Sequence, residues 1–298
     1  MENIKLIDCF PYFNEKELLE LRIKLLYDHV DKFVITEANQ THSGIDKEFT
    51  CHKALQNIQD PLNKIELIQI NLQNPDTPNY NHWDRERLQR DAVYQILHKF
   101  DDDCLFYFGD CDEILNPEHI QWICNTAKNN PKNILRTPLV FLNCRADLRV
   151  LNATNNTFFN WRCPYIASKK HLRKYTPSEI RESLALQETT GMPIEFSNIF
   201  LTTNNTECVL GWHFSWMGSN ENRKLKCKSY LHNQDYVPGA YSALDSDSMI
   251  DFMSIYEAKE GSTDPLGRKD HILVKYDTEL LPKIILDDEK LKNFFLPD

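Results

Sequence analysis

The sequence predicts an α/β fold with a doubly wound, mostly parallel sheet. Strand-like and helix-like segments alternate through the first half of the chain, which is the element order of a parallel sheet covered by helices. The 298 residues are 41% hydrophobic, enough to bury a sizeable core. No repeat, low-complexity tract or clear linker divides the chain. We therefore expect one domain over residues 1–298.

The elements of the first half follow one another in a regular order. "IKLIDCF" (4–10) predicts a buried strand, and "NEKELLELRIKLLYDHV" after it places leucines at helical spacing. "KFVITEA" (32–38) predicts a second strand, and the alternating "KIELIQI" (64–70) predicts a third. After a polar loop, the helix "DRERLQRDAVYQILHKF" (84–100) leads into a fourth strand, "CLFYFGD". "NPEHIQWICNTAKNN" then begins a helix with Asn-Pro.

The second half is less regular. "NILRTPLVFLN" is a strand candidate, and residues 150–175 mix aromatic residues with turns. "LGWHFSWMG" (210–218) predicts a short strand rich in aromatic residues. "ENRKLKCKSYLH" predicts a helix, and "DTELLPKIILDDEKLKNFFL" closes the chain.

Composition excludes several classes of protein. The net charge of −10 repels a phosphate backbone, so we expect no nucleic-acid partner. Nine cysteines without a C-x-x-C pair indicate buried thiols rather than a zinc site or a disulfide framework. No apolar run approaches the ~18 residues that span a bilayer, and the first residues do not resemble a signal peptide. We expect a soluble, cytoplasmic protein without a membrane span.

Three acids, Asp110, Asp112 and Glu113, follow directly after the apolar fourth strand. Ligands of doubly wound sheets bind beyond the carboxyl ends of the strands, and Glu37 would lie at the same edge. Carboxylates at i and i+2 can share a hard cation, Mg²⁺ or Mn²⁺, which keeps positions open for phosphate oxygens. The alternative is a solvated turn that caps the helix at 116. The run Asp101–Asp103 precedes its strand and is expected to be an exposed turn at the opposite edge.

Two basic candidates lie in the second half. In "GWHFSWMG", His213 alternates with aromatic residues, Trp212, Phe214 and Trp216. Its imidazole is therefore expected on the opposite strand face, where it could complete a metal site or contact a phosphate. The alternative is an ordinary hydrogen-bonded histidine. Lys226, in "KCKSYLHNQD", could bind diphosphate oxygens, or could belong to a solvated helix face.

Two helix starts carry further candidates. The helix before the fourth strand begins with many charges, which is typical of a surface, and Glu86 with Arg90 would form an i,i+4 pair. Asn14 is expected to N-cap the first helix, with Glu15 in its first turn. The aromatic and proline residues from Phe10 to Phe13 are expected to form a loop beyond the first strand. That loop could hold a nucleotide base or serve the structure alone.

Taken together, these segments resemble glycosyltransferase family 17, which contains the β-1,4-mannosyl-glycoprotein N-acetylglucosaminyltransferases. This chain is similar to the short, soluble microbial and viral-type members rather than to the animal members, which carry an N-terminal anchor. Residues 143–200 match the family poorly. The matching segments follow family order over nearly the whole chain: "DCFPYFNEKELLELRIKLL", "VDKFVITEANQTHSGIDK", "WDRERLQRDAV", "FGDCDEI", "GWHFSWMG", "KCKSYLH" and "LLPKIIL".

The resemblance implies a GT-A-type fold in a single catalytic domain, with a nucleotide-sugar-binding half (1–142) and an acceptor-binding half (143–298). It implies that a D-x-D motif, Asp110 and Asp112, binds Mn²⁺ or Mg²⁺ with the donor diphosphate, with His213 as a further metal ligand. It implies inverting transfer of a sugar, GlcNAc in the first instance, from a UDP-sugar to a glycan on protein or lipid. With Phe10 and Lys226 added from the arguments above, the expected donor site comprises Phe10, Asn14, Glu15, Glu37, His42, Gly44, Gln89, Arg90 and Lys226.

Inversion requires a carboxylate that takes the proton of the acceptor hydroxyl. Asp235 is one candidate because "HNQD" resembles an element of the family, and Glu188 is the other because it lies between the D-x-D and "GWH".

Two other functions remain open. A metal-dependent phosphohydrolase or nucleotidyltransferase would use the same carboxylates, although the chain has only 8 glycines and no P-loop. The second open function is that of a glycan-binding module with the same fold and no catalytic activity.

Overall fold

Two β-sheets form the frame of the protein in a computed structural model, which describes residues 5–72, 81–201, 209–229, 256–263 and 270–297. The strands are β1 Leu6–Tyr12, β2 Lys32–Ala38, β3 Ile65–Ile70, β4 Leu105–Phe108, β5 Glu113–Leu115, β6 Ile134–Arg136, β7 Leu139–Asn143, β8 Leu148–Asn152, β9 Thr157–Phe158, β10 Asn160–Trp161, β11 Tyr165–Ser168, β12 Asn198–Phe200, β13 Gly211–Ser215 and β14 His271–Lys275. The α-helices are α1 Lys16–Leu26, α2 Cys51–Leu55, α3 His82–Asp91, α4 Pro117–Asn129, α5 Lys169–Leu172, α6 Pro177–Thr190, α7 Asn220–Ser229, α8 Lys283–Asp287 and α9 Glu289–Phe295. Short 3-10 helices lie at Ala92–Gln95, Leu97–Lys99 and Thr278–Leu280.

The first sheet has the strand order β12-β6-β11-β4-β1-β2-β3. Its strands β4, β1, β2 and β3 run parallel, and β11 is antiparallel to both β4 and β6. The α/β class is therefore confirmed, as are the four strands predicted in the first half. The chain winds outward from β1 to β3 and returns to β4 on the other side of β1. This reversal creates a switch point between β1 and β4, where such sheets bind ligands.

The second sheet, β14-β8-β7-β13-β5 with β9 and β10 beside it, corrects the prediction of one doubly wound sheet. It is mixed, since β13 runs parallel to β7 but antiparallel to β5. The predicted strand "NILRTPLVFLN" is two strands, β6 in the first sheet and β7 in the second. Thr137 and Pro138 separate them, and the proline lacks the N–H that would continue a ladder.

Both faces of the first sheet are buried. Leu6 and Phe33 belong to the apolar cluster that includes the leucines of α1, on one face. Ile7 and Val34, their neighbours in sequence, belong to a second cluster with Val93 and residues of α6. Because successive strand residues point to opposite faces, helical elements cover the sheet on both sides, as predicted for a doubly wound sheet.

The chain crosses from the first sheet to the second between β4 and β5, through residues 109–112. The predicted acids therefore lie at the junction of the sheets, just beyond the carboxyl end of β4 and next to that of β1. As predicted, Asp101–Asp103 form an exposed segment before β4. None of the helices in the described ranges combines the length and the apolar character needed to cross a membrane.

Two details at β1 and α1 differ from the predictions. Phe10 lies within β1 rather than in a loop beyond it, because the strand continues to Tyr12 in register with β2. The N-cap of α1 is Glu15 and not Asn14. The Glu15 carboxylate accepts the backbone N–H groups of Phe13 at 2.8 Å and of Asn14 at 3.1 Å, which secures the turn before the helix.

Candidate active site

A cavity of about 520 Å³ lies beyond the carboxyl ends of β1, β2 and β4. Its wall combines the segments that follow these strands with residues of α3, α6, β13 and α7. This is the edge at which a doubly wound sheet binds its ligand. The predicted site residues on this wall are Glu15, His42, Gln89, Arg90, Asp110, Asp112, His213 and Lys226.

A buried ion pair anchors the turn that carries the acids. Arg22 Nε and Nη2 donate to the two Asp8 oxygens at 2.8 and 2.6 Å. Nη1 of the same arginine donates to the backbone carbonyls of Asp110 at 2.6 Å and of Glu113 at 2.9 Å. Both side chains of the pair are almost completely buried. An acid inside the apolar strand "LIDCF" is the sequence signal for this pair.

Two arginines neutralise Asp110. Its Oδ1 accepts from Arg90 Nη2 at 2.8 Å and its Oδ2 from Arg181 Nη2 at 2.5 Å. Desolvation raises the pKa of Asp110, but the two guanidinium groups outweigh it and bring that pKa below its usual value of 3.8. Arg90 also pairs with Glu86 at 2.7 Å, as predicted for i,i+4. That pair lies on the cavity wall and not on an ordinary surface, since Arg90 is buried.

Glu113 and Arg181 belong to the site, although neither was among the site residues predicted from the sequence. Glu113 is fully buried, and its oxygens accept from Arg181 at 2.8 and 3.1 Å, from the Trp161 indole and from the Asp110 backbone N–H at 2.7 Å. Arg181 reaches the acids from α6. The sequence signal for that helix is its capping box, Thr176 with Glu179, which marks the helix start.

Asp112 faces a different set of partners. Its Oδ2 accepts from Lys226 Nζ at 3.0 Å, and its Oδ1 lies 3.5 Å from His213 Nε2. Burial raises the pKa of Asp112, but Lys226 and His213 outweigh it and lower that pKa below 3.8. The Lys226 ammonium also lies 5.3 Å from the centre of the Trp216 ring. The lysine is therefore part of the cavity wall and not of a fully solvated helix face.

His213 packs between aromatic rings. Its ring centre lies 4.9 Å from that of Phe141 and 4.8 Å from that of Trp161. Its Nδ1 is buried and has no hydrogen-bond partner in the part of the chain that the structure describes. Trp216 does not share the strand face of Trp212, contrary to the prediction. It follows the end of β13 with a positive φ of 59° and lines the cavity.

Helix α3 holds the loop after β2. Gln89 Oε1 lies 3.2 Å from His42 Nε2, while Gln89 Nε2 donates to the backbone carbonyls of Tyr12 at 3.1 Å and of Thr36 at 3.0 Å. One helical turn earlier, Arg85 Nη1 donates to the His42 carbonyl at 3.3 Å. Helix α3 thus binds both the ring and the backbone carbonyl of His42.

Gly44 lies in the same loop but not on the cavity wall. Its φ is +92°, a conformation that favours glycine. An added Cβ would lie 2.9 Å from the guanidinium carbon of Arg85. The glycine therefore makes room for the arginine that holds the loop.

Four of the predicted residues that the structure describes lie away from the cavity wall, in addition to Gly44. Phe10 is buried beneath the Arg22 guanidinium at 4.1 Å. The Glu37 carboxylate accepts the backbone N–H groups of residues 50 and 51 at 2.6 and 3.1 Å, and so holds the start of α2. Asn14 lies in the turn before α1, and Glu188 on α6 pairs with two arginines at 2.8 and 3.4 Å. Asp235 lies outside the described residues.

One group of side chains on the cavity side of β5 and β13 has the composition of a metal site. Ligand atoms of Asp112, Glu113 and His213 lie within 4.8 Å of one another. The oxygens of Glu113 are already engaged by Arg181, Trp161 and a backbone N–H. Asp112 and His213 are therefore the pair best able to offer lone pairs to a cation.

One of the comparisons with known proteins agrees with the motifs. A sequence model of glycosyltransferase family 17 matches residues 1–139. No curated protein matches the sequence. Among solved structures, the chain is similar to mannose-6-phosphate isomerase from Helicobacter pylori, with 11% identity and a TM-score of 0.36 over 60% of this chain and 81% of that one. That likeness is too weak to carry an argument. The match to residues 1–139, which include β1–β4 and both aspartates of the D-x-D motif, supports the assignment of this chain to glycosyltransferase family 17.

Proposed function

We propose that this protein transfers a sugar, GlcNAc in the first instance, from a UDP-sugar to a hydroxyl group of a glycan, with inversion and on a GT-A-type fold. The observation that carries the proposal is the cavity at the junction of the sheets. There the D-x-D acids of a family 17 sequence meet Arg90, Arg181 and Lys226. Acids and cations on one wall suit a ligand that carries both a diphosphate and hydroxyl groups.

A divalent ion fits part of this wall. Asp112 and His213 would hold it, because the Oδ1 and Nε2 atoms lie 3.5 Å apart and the ring is fixed by stacking. Mn²⁺ or Mg²⁺ accepts such oxygen and imidazole ligands and leaves other positions for phosphate oxygens and water. Asp110 fits the ion less well, since both of its oxygens already accept from arginines. When bound, the ion supplies positive charge close to the departing diphosphate.

The side chains of this chain contribute the remaining steps. Lys226 and Arg181 face the cavity as fixed cations, so they stabilise the negative charge that grows on the leaving UDP. Their acid partners hold them in place before the reaction, which avoids reorganisation in the transition state. Burial lowers the pKa of Lys226 but Asp112 outweighs it and raises that pKa, so the ammonium stays charged at neutral pH.

The proton of the acceptor hydroxyl needs a carboxylate that no arginine already neutralises. Glu188 is a poor choice because it pairs with Arg162 and Arg136. Asp235 stays the candidate base on the strength of its sequence position.

Release of UDP tests the proposal. The protein is incubated with Mn²⁺ and a panel of UDP-sugars, with and without mannose-containing glycans, and UDP is quantified. We expect release with UDP-GlcNAc that requires the divalent ion. Asp112→Asn is expected to reduce the rate about 100-fold, because the variant loses the carboxylate that would hold the divalent ion beside the leaving group. Asp103→Asn removes the same charge at the opposite edge of the sheet and serves as the control.

Other outcomes would contradict the proposal. UDP-sugar binding that is equal with and without divalent ions, and without turnover, would indicate a glycan- or nucleotide-binding module. Phosphate release from simple phosphoesters that is lost in Asp112→Asn would indicate a phosphohydrolase.

A further inference from the structure

The hydrogen bonds around Gln89 determine the tautomer of His42. Gln89 makes two hydrogen bonds to backbone carbonyls, those of Tyr12 and Thr36. Carbonyl oxygens only accept, so the amide nitrogen must face both of them, and Oε1 must face His42. An amide oxygen cannot donate, so the proton between the two side chains belongs to His42 Nε2. The neutral imidazole therefore keeps its unprotonated lone pair on Nδ1.

The imidazole is also held in place before any ligand binds. Arg85 and Gln89 lie one turn apart on α3 and bind the carbonyl and the ring of the same residue. The loop closes on itself, since Ile45 N–H donates to Thr41 Oγ1 at 2.9 Å. Such a loop fixes the direction of the Nδ1 lone pair without a cost at the moment of binding.

Charge near His42 does not change this assignment. Glu86 is the acid that interacts electrostatically with His42. Its carboxylate accepts a hydrogen bond from Arg90 at 2.7 Å, so its charge is already paired. The assignment of the proton to Nε2 therefore rests on the hydrogen bond between His42 and Gln89.

The surroundings of His42 suit a flat ring. It shares the cavity wall with Tyr12, Phe13 and Trp83, which contribute aromatic rings to that wall. Asp110 and Asp112 follow the end of β4, which lies two strands away from β2 in the sheet. A nucleoside diphosphate placed with its phosphates near the acids could therefore extend its base toward the loop after β2.

We infer that His42 Nδ1 selects the base of the donor by accepting a hydrogen bond from a ring N–H group, the imide N3–H of uracil. Cytosine has a lone pair at N3 instead of a hydrogen, so it would face the Nδ1 lone pair and be rejected. His42 is then a specificity-determining residue, and Gln89 is a positioning residue that acts through it. The inference rests on the proposed function for the identity of the ligand as a uridine nucleotide.

Three nucleoside diphosphates distinguish a contact to N3 of the base from contacts to the ribose and the diphosphate. UDP, CDP and 3-methyluridine 5′-diphosphate are titrated into the full chain by calorimetry in the presence of Mn²⁺. Only UDP carries a hydrogen at N3, and all three share the ribose and the diphosphate. For the wild type we expect CDP and the methylated analogue to bind roughly 10- to 100-fold more weakly than UDP, the usual effect of a missing partner in a built polar site.

Variants of His42 test whether its Nδ1 is the atom that distinguishes UDP from CDP and from the methylated analogue. His42→Leu should weaken UDP binding and bring the three ligands within about threefold of one another. His42→Asn places an acceptor oxygen close to the position of Nδ1, so it should retain part of the preference for UDP. His52→Leu alters a histidine of α2, which is not on the cavity wall, and should leave the preference unchanged. Far-UV circular dichroism checks that each variant is folded.

The outcomes are distinguishable from failure of the proposed function. If the wild type binds no UDP, the proposed donor is wrong. If the wild type binds UDP and the N3-methylated analogue equally, or if His42→Leu weakens UDP and CDP to the same extent, UDP is still a ligand but the contact to N3 is overturned. Should His42→Leu fail to fold, the comparison of UDP with the methylated analogue and the His42→Asn variant decides the question.

Discussion

Arg22→Met removes the buried cation that ties α1 to the turn carrying the predicted acids. In the variant, the carboxylate of Asp8 would remain at about 1% exposure without its bidentate partner. Removing one partner of a buried ion pair costs about 3–5 kcal/mol. The carbonyls of Asp110 and Glu113 also lose a donor, at about 1 kcal/mol each. We therefore expect the free energy of unfolding to fall by roughly 5 kcal/mol, since these contributions overlap.

Urea unfolding followed by tryptophan fluorescence measures this loss. Lys24→Met, two positions further along α1, removes partly exposed pairs with Glu20 at 2.7 Å and Asp288 at 3.4 Å and should cost less than about 1 kcal/mol. Replacing both buried partners, Asp8→Val with Arg22→Met, should recover about 2 kcal/mol or more because no charge stays buried alone. A loss in Arg22→Met similar to that of Lys24→Met would refute the reasoning. So would a double variant that is less stable than the single one.

Three further predictions concern residues around the site. Glu37→Gln should lower the free energy of unfolding in urea by about 1.5–3 kcal/mol, because the charged acceptor of two N–H groups at the start of α2 is lost. Gly44→Ala should cost about 1–2 kcal/mol in the same assay, because its φ of +92° is strained for alanine and the new Cβ displaces Arg85. Asp110 and Asp112 have folded-state pKa values below 3.8, so the stability that they provide is present above this pH and is lost as the pH falls below it. Acid titration of unfolding should therefore show a smaller loss in Asp112→Asn than in the wild type, and an equal loss would contradict the assigned pairing.

Much of the first half could be predicted from local patterns. The leucines of α1 repeat at helical spacing, and the apolar run of β4 ends before three acids. These patterns depend only on residues within one or two turns of each other. The parallel order of β1, β2 and β4 then places the strand ends at one edge. The order of the motifs along the chain indicates glycosyltransferase family 17, and the match of that family's sequence model to residues 1–139 agrees with it.

Prediction failed where a residue's partner is distant in sequence. Arg181 binds Asp110, which lies 71 positions away in the sequence, and no sequence pattern near either residue indicates this contact. Glu37 is expected at the ligand-binding edge, but its carboxylate accepts the backbone N–H groups of residues 50 and 51, which lie 13 and 14 positions away. The sequence at 133–143 predicts one strand, and only the strand pairing shows that its two halves belong to different sheets.

The sequence by itself determined the alternation of strands and helices, the edge at which the acids lie, and the family to which the motifs point. These are consequences of periodicity and of strand direction, which act locally along the chain. Only the tertiary structure decided that Asp110 is neutralised by Arg90 and Arg181, that Asp112 faces Lys226 and His213, and that Phe10 is buried. Those outcomes depend on which side chains meet when separate elements pack, and a carboxylate's chemistry is set by the partners that packing brings to it.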